Sequence, residues 1–232
     1  MSEFRPALGI MLGGVGDDRE KATRTLRLFG EKDFPTLVIA GGRDRWTDLK
    51  AAFSALEDKL SDRVIDATPL REVRIGSDTL VPIAGAADGR YARDDSACGF
   101  GKGDLEKIAS DLGPASGRRR WLLSWQAPAG GGALAVARTA RGVDTGDPGL
   151  AHFAERIGAP GGLFAWPDLQ VMRPRAHAES LPLPFSVAAD DLRLVVPRLA
   201  GPAMERDDGS RSMPGFTALI LTEAGMIMVE TQ

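Results

Sequence analysis

A single cysteine, Cys98, stands in a chain of 232 residues, so no internal disulfide can form and neither a Cys-rich zinc site nor a dithiol redox pair is available. Histidine is almost as scarce. His152 and His177 are not placed at the His-x-x-x-His spacing of a helical zinc site. Charge surplus is missing as well: 29 Lys and Arg oppose 32 Asp and Glu, a formal net charge of -3, which leaves no broad positive field for nucleic acid or an anionic membrane. No apolar run approaches the roughly 20 residues of a membrane span, and Met1-Ser2-Glu3-Phe4-Arg5-Pro6 lacks the apolar centre of a signal peptide. We therefore expect a soluble protein with no membrane span, no nucleic-acid partner and no signal peptide in this chain. Its compartment stays open.

What is present is the balance of a folded domain, with 43% hydrophobic and 26% charged residues, enough to bury a core and wet a surface. Nothing reads as a linker, so residues 1–232 are taken as one domain. Ala7 to Leu12 predicts a strand ended by Gly13-Gly14-Val15-Gly16, with Asp17 or Asp18 capping a helix that reaches Gly30. Thr36 to Ala40 repeats the pattern: strand, Gly41-Gly42, then Thr47 as cap of a helix to about Leu60 whose core face is Leu49, Ala52, Phe53, Leu56 and Leu60. Short strands follow at Arg63 to Asp66, Leu70 to Ile75 and Thr79 to Ala84; then come a helix from Asp104 to Leu112, a strand from Trp121 to Ser124, a helix from Leu150 to Ile157 and a strand from Gly162 to Trp166. Leu192 to Val196, Phe216 to Leu221 and Met226 to Glu230 complete the strands, the last two joined by a turn at Glu223-Ala224-Gly225. Early strand-helix-strand units with later antiparallel strands predict a mixed sheet or a pair of sheets with helices outside.

Several strands end in glycine or small polar residues, where open α/β sheets place their chemistry. In order these ends are Gly13-Gly14-Val15-Gly16-Asp17, Gly41-Gly42-Arg43-Asp44, Ser124-Trp125-Gln126-Ala127-Pro128 and Ala165-Trp166-Pro167-Asp168. That series resembles the calcineurin-like metallophosphoesterases, whose strand ends read Gly-Asp-x-x-Asp, Gly-Asn-His-Asp/Glu, a histidine near Pro, and Gly-His-x-His. The resemblance implies a four-layer αββα sandwich of two mixed sheets. It also implies that the family's first β-α unit is missing here, since its opening Asp-x-His strand has no counterpart, and that one sheet position is left open.

Carried over position by position, the family's metal ligands mostly fail. Gly14 stands for the metal-bridging aspartate, with Asp17 at the second Asp of that motif; Gly42 replaces the asparagine ligand, Arg43 the adjacent histidine, and Asp44 keeps the acidic position. Trp125 takes the place of a metal histidine, and Ala165, Trp166 and Asp168 replace Gly, His and His. A two-metal hydrolase needs carboxylate, amide and imidazole groups converging on its ions, and neither indole nor glycine can ligate. On this resemblance we expect no metal and no other cofactor. The expected role is a non-catalytic binding or scaffolding module with a protein partner. An active phosphoesterase with a reduced or relocated metal site, using Asp17, Asp44, Asp168 and His152 with two divalent metals, is the alternative. A third is a metal-free phosphate or nucleotide binder built on Gly13 to Asp17 and Arg43, whose planar fork suits phosphate.

Other motifs favour plainer readings. Gly99-Phe100-Gly101-Lys102-Gly103 fails as a phosphate loop because Ser96 and Gly103 occupy its first-glycine and Ser/Thr positions. Arg118-Arg119-Arg120 reads as a solvated strand entry, and Asp144 and Asp147 as turn formers. Trp125 and Trp166 read as packing residues, or more sharply as the filling of a vacated metal cleft or an aromatic anchor for a partner.

Overall fold

The computed structural model describes residues 6–56, 58–87, 96–114, 117–130, 144 and 146–165, with 58–59 and the strands at 185–189, 192–196, 217–222 and 225–230 described by their backbone alone. The first sheet holds β1 (Gly9–Leu12), β2 (Thr36–Ile39) and β3 (Val64–Asp66), all parallel and in that order. Helix α1 (Arg19–Gly30) links β1 to β2, while α2 (Trp46–Ser54) and α3 (Asp58–Ser61) link β2 to β3. Asp18 caps α1, its carboxylate accepting the Lys21 N–H at 2.9 Å, one of the four donors a helix start leaves open. The second helix departs from the sequence reading. Arg45, not Thr47, is its cap residue and makes no side-chain cap bond, and the helix stops at Ser54 because the Ala55 N–H turns back to the Ala52 carbonyl and the Leu56 N–H to that of Phe53. That tightened last turn ends the helix before Leu60.

The second sheet runs β4-β5-β6-β7-β9-β8, from β4 (Val73–Ile75), β5 (Asp78–Ile83), β6 (Arg119–Ser124), β7 (Gly161–Phe164), β8 (Phe185–Ala189) and β9 (Leu192–Val196). Its four central strands are parallel; β4 and β8 run antiparallel at the edges. Helix α4 (Lys102–Leu112) joins β5 to β6, and α5 (Pro148–Ile157) joins β6 to β7. Helix α5 starts two residues before the Leu150 expected of it: the Asp147 carboxylate, read as a turn former, accepts the Leu150 N–H, Pro148 opens the first turn, and Gly158 ends the helix at φ 65°, a left-handed cap that glycine adopts without a Cβ penalty. Strands β10 (Thr217–Thr222) and β11 (Gly225–Glu230) form an antiparallel pair of their own, the hairpin expected from the sequence; β8 has no counterpart in the sequence reading.

Alternation along the strands decides what each face meets. Leu37 and Ile39 of β2 share one cluster with Leu80, Trp121, Leu123 and Leu163 of the second sheet, whereas Val38 between them clusters with Leu26 of α1 and Leu49 and Ala52 of α2. In β6 the same switch occurs: Leu122 packs with Leu105 and Ile108 of α4 and Leu150 and Phe153 of α5. The protein is thus a mixed α/β fold with two larger sheets and helices packed against them. At one corner the sheets touch, where Gly41 bridges Gly85 and the Gly85 N–H donates to the Ala40 carbonyl at 2.8 Å. Among the described residues β1 pairs with β2 and with no other strand. No helix among them is long and apolar enough to cross a membrane.

The basic run at residues 118–120 is the solvated entry expected of it only at Arg118, which is exposed. Arg118 donates to the Gly76 carbonyl, and Arg119 grips Asp78 of the neighbouring strand with Nε at 2.8 Å and Nη2 at 3.0 Å. Arg120, only 5% exposed, donates to the carbonyls of Leu112, Gly113 and Pro114 at the end of α4 and of Ile157 at the end of α5. Carbonyls orphaned at helix ends take a cation favourably. Burial alone would raise the Asp78 carboxyl, but the Arg119 fork, the Trp121 indole N–H and the Arg119 charge outweigh it and hold the group below its ordinary value. A depressed carboxyl contributes stability above the unfolded pKa of about 3.9 and loses it as pH falls from there through the folded value. Urea midpoints of the wild type should therefore drop on acidification below about pH 4 more steeply than those of Asp78→Asn; parallel acid limbs would show that the pair contributes nothing.

Candidate functional site

The strand ends named in the sequence converge at one rim. The Gly13 N–H donates to the Ile39 carbonyl at 2.8 Å and the Ala165 N–H to the Ser124 carbonyl at 3.2 Å, which ties the ends of β1, β2, β6 and β7 together in pairs. Trp125 joins the pairs. A Cβ added at Gly41 would lie 2.7 Å from Cδ1 and 2.8 Å from Cγ of the indole, and one added at Gly13 would strike the same ring. Gly13 also sits at φ 70°, where an L side chain is strained. The indole is 5% exposed and clusters with Ala86, Ala165 and Leu12. Two glycines at adjacent strand ends thus let a large aromatic ring approach the backbone closely.

Asp44 is the second fixed feature. Its Oδ2 accepts the N–H groups of Gly41 at 2.8 Å and Gly14 at 3.0 Å, and its Oδ1 accepts that of Val15 at 3.0 Å. With 2% exposure it staples the loop after β1 to the loop after β2. Burial raises its pKa, and the backbone N–H donors oppose that rise. The carboxylate offered by the sequence as a candidate ligand is therefore committed to backbone.

The remaining positions separate. Asp17 is exposed and meets Lys21 at 3.1 Å on the first turn of α1. Gly14 is exposed, with nothing within 4 Å of the place a Cβ would take; Gly42 is buried, and Arg43 points to solvent. His152 is exposed on α5, 3.8 Å from Glu155, in a different element from the rim. Trp166, Asp168 and His177 lie outside the described residues. Among the described residues no three His, Cys, Asp or Glu side chains stand together as a metal-holding group.

Sequence reasoning missed Gln126. Buried at 3% exposure, it accepts the Ala87 N–H through Oε1 at 2.8 Å and so ties the segment after β5 to the rim. Its signal was its place directly after Trp125, in a strand end read only for ligands. Asp144 forms the expected turn, accepting the N–H groups of Gly146 and Gly130.

No protein-family model and no curated protein matches the sequence. Solved structures do share its fold. TT1561 of Thermus thermophilus superposes with a TM-score of 0.59 at 13% identity, covering 82% of this chain and 76% of that one. A second crystal structure gives 0.55 at 14% identity over 76% of this chain and 62% of the other, so the chain spans less than two thirds of that protein's length. At these identities the likeness is one of fold.

Proposed function

We propose that this chain is a metallophosphoesterase-fold protein whose strand-end cleft is filled from within, and that it serves as a binding or scaffolding module for a protein partner. The observation that carries the reading is Trp125. Its indole lies on Gly13 and Gly41, in the space between strand ends where the family would hold its ions. The three apolar clusters, helices on sheet, sheet on sheet and sheet on helices, support the family's αββα order. With Asp44 holding three backbone N–H groups and Asp17 turned to Lys21, these two carboxylates do not act as a pair on one substrate.

The test is metal content and diester hydrolysis of the full chain purified without chelators. We expect no stoichiometric manganese or iron, and no manganese-dependent cleavage of bis(4-nitrophenyl) phosphate above the buffer rate. Close to two metal equivalents, with turnover abolished by Asp17→Asn, would replace this reading by that of a working phosphoesterase. Asp17 is the right probe because it is exposed and its substitution leaves the core intact.

A further inference from the structure

One concavity lies apart from the filled rim. A groove of about 490 Å³ opens at the carboxyl end of β5, and none of Gly14, Gly42, Arg43, Asp44 or Trp125 lines it. Its volume is in the range of small-molecule sites, roughly 300–1,000 Å³, and it sits beside the corner where Gly85 meets Gly41 and the two sheets touch. Crevices at the carboxyl ends of parallel strands are the places where α/β sheets take ligands.

The lining divides into two parts. Trp46, Phe100 and Ile108 supply apolar surface. Arg71 and Lys107 also line the groove, from the loop after β3 and from α4, and both reach towards the same Oδ2 of Asp111 at 3.6 Å. That distance is too long for hydrogen bonds, and exposed pairs of this kind contribute little, about 0–1 kcal/mol. Two cations sharing one loosely held carboxylate can turn to an incoming anion at small cost. The carboxylate that lines the groove itself, Asp104, has Oδ2 engaged by the Gly101 N–H at 2.8 Å. The first turn of α2, with Trp46 and Thr47 at the groove, adds the positive end of a helix dipole.

We propose that this groove binds a small molecule with a flat apolar body and one anionic group, the ring against Trp46 and Phe100 and the anion between Arg71 and Lys107. The inference is independent of what the Trp125 rim does. Cys98 also lines the groove and is the sole cysteine, so its alkylation reports occupancy without background. Burial, followed by the charges of Asp44 and Asp66, pushes its thiol up to about 11, which makes labelling by N-ethylmaleimide slow enough to follow by mass.

Phenyl phosphate is the probe, with phenol and inorganic phosphate as its two halves. At about ten times its Kd phenyl phosphate should slow Cys98 labelling about tenfold, and each half at that concentration less than about twofold. The Arg71→Gln, Lys107→Gln double variant changes two exposed side chains; it should label at the basal wild-type rate and lose the protection. Absence of protection by saturating phenyl phosphate overturns the proposal. So does equal protection by inorganic phosphate, or protection that survives in the double variant.

Discussion

Asp44→Ala is expected to destabilise the fold by about 4 kcal/mol, since each buried N–H left without an acceptor costs about 1–3 kcal/mol and the buried N–H groups of Val15 and Gly41 lose theirs together, along with the part-buried one of Gly14. For a chain of this size such a loss lowers the thermal midpoint by about 10 °C. Asp44→Asn should fall between the two. Its single carbonyl oxygen can serve the two donors now shared by Oδ2, while its amide meets the Val15 N–H as donor against donor. Urea titration of the three proteins decides the matter: an Asp44→Ala variant within about 1 kcal/mol of wild type would mean that water or backbone replaces the carboxylate and that the staple is not structural.

The second large effect concerns the packing of Trp125 on glycine. Trp125→Ala alone should cost about 3–5 kcal/mol, the usual range for removing a buried indole. Gly41→Ala in the wild type places a methyl 2.7 Å from the ring, and overpacking of this kind costs about 1–3 kcal/mol. In the Trp125→Ala background the same methyl enters empty space, so the two substitutions should not add. A coupling of about 1–3 kcal/mol in a double-mutant cycle would establish that the ring fills the strand-end space. Additive losses would sink the filled-cleft reading, because Gly41 and Trp125 would then be acting separately.

Local pattern carried much of the fold. Short continuous apolar runs marked β2 and β6, whose successive residues face opposite layers, and Asp18 announced a helix start through side-chain chemistry that needs no partner element. What pattern could not carry was assembly. The start of α2 at Trp46 breaks the capping rule at Thr47. Strand β8 pairs only with β9 among the described residues, and nothing in Phe185–Ala189 alone announces such a partner. At the rim the same limit applies. Asp44 read as an acidic motif position, yet its use depends on two loops meeting; Arg120 read as solvent-facing because the helix ends that receive it are remote in sequence or follow a turn. Trp125 was legible in part, since indole at two strand ends expected to converge, Trp125 and Trp166, already offered packing or the filling of a vacated cleft.

Arg120 gives the second sheet a property that its individual bonds do not express. One guanidinium on β6 holds the last carbonyls of α4 and of α5, two helices that also pack against each other through Leu105, Ile108, Leu150 and Phe153. Opening either helix end strands the same buried charge. The two helices therefore share a single opening free energy, and their amides should exchange with deuterium as one cooperative unit.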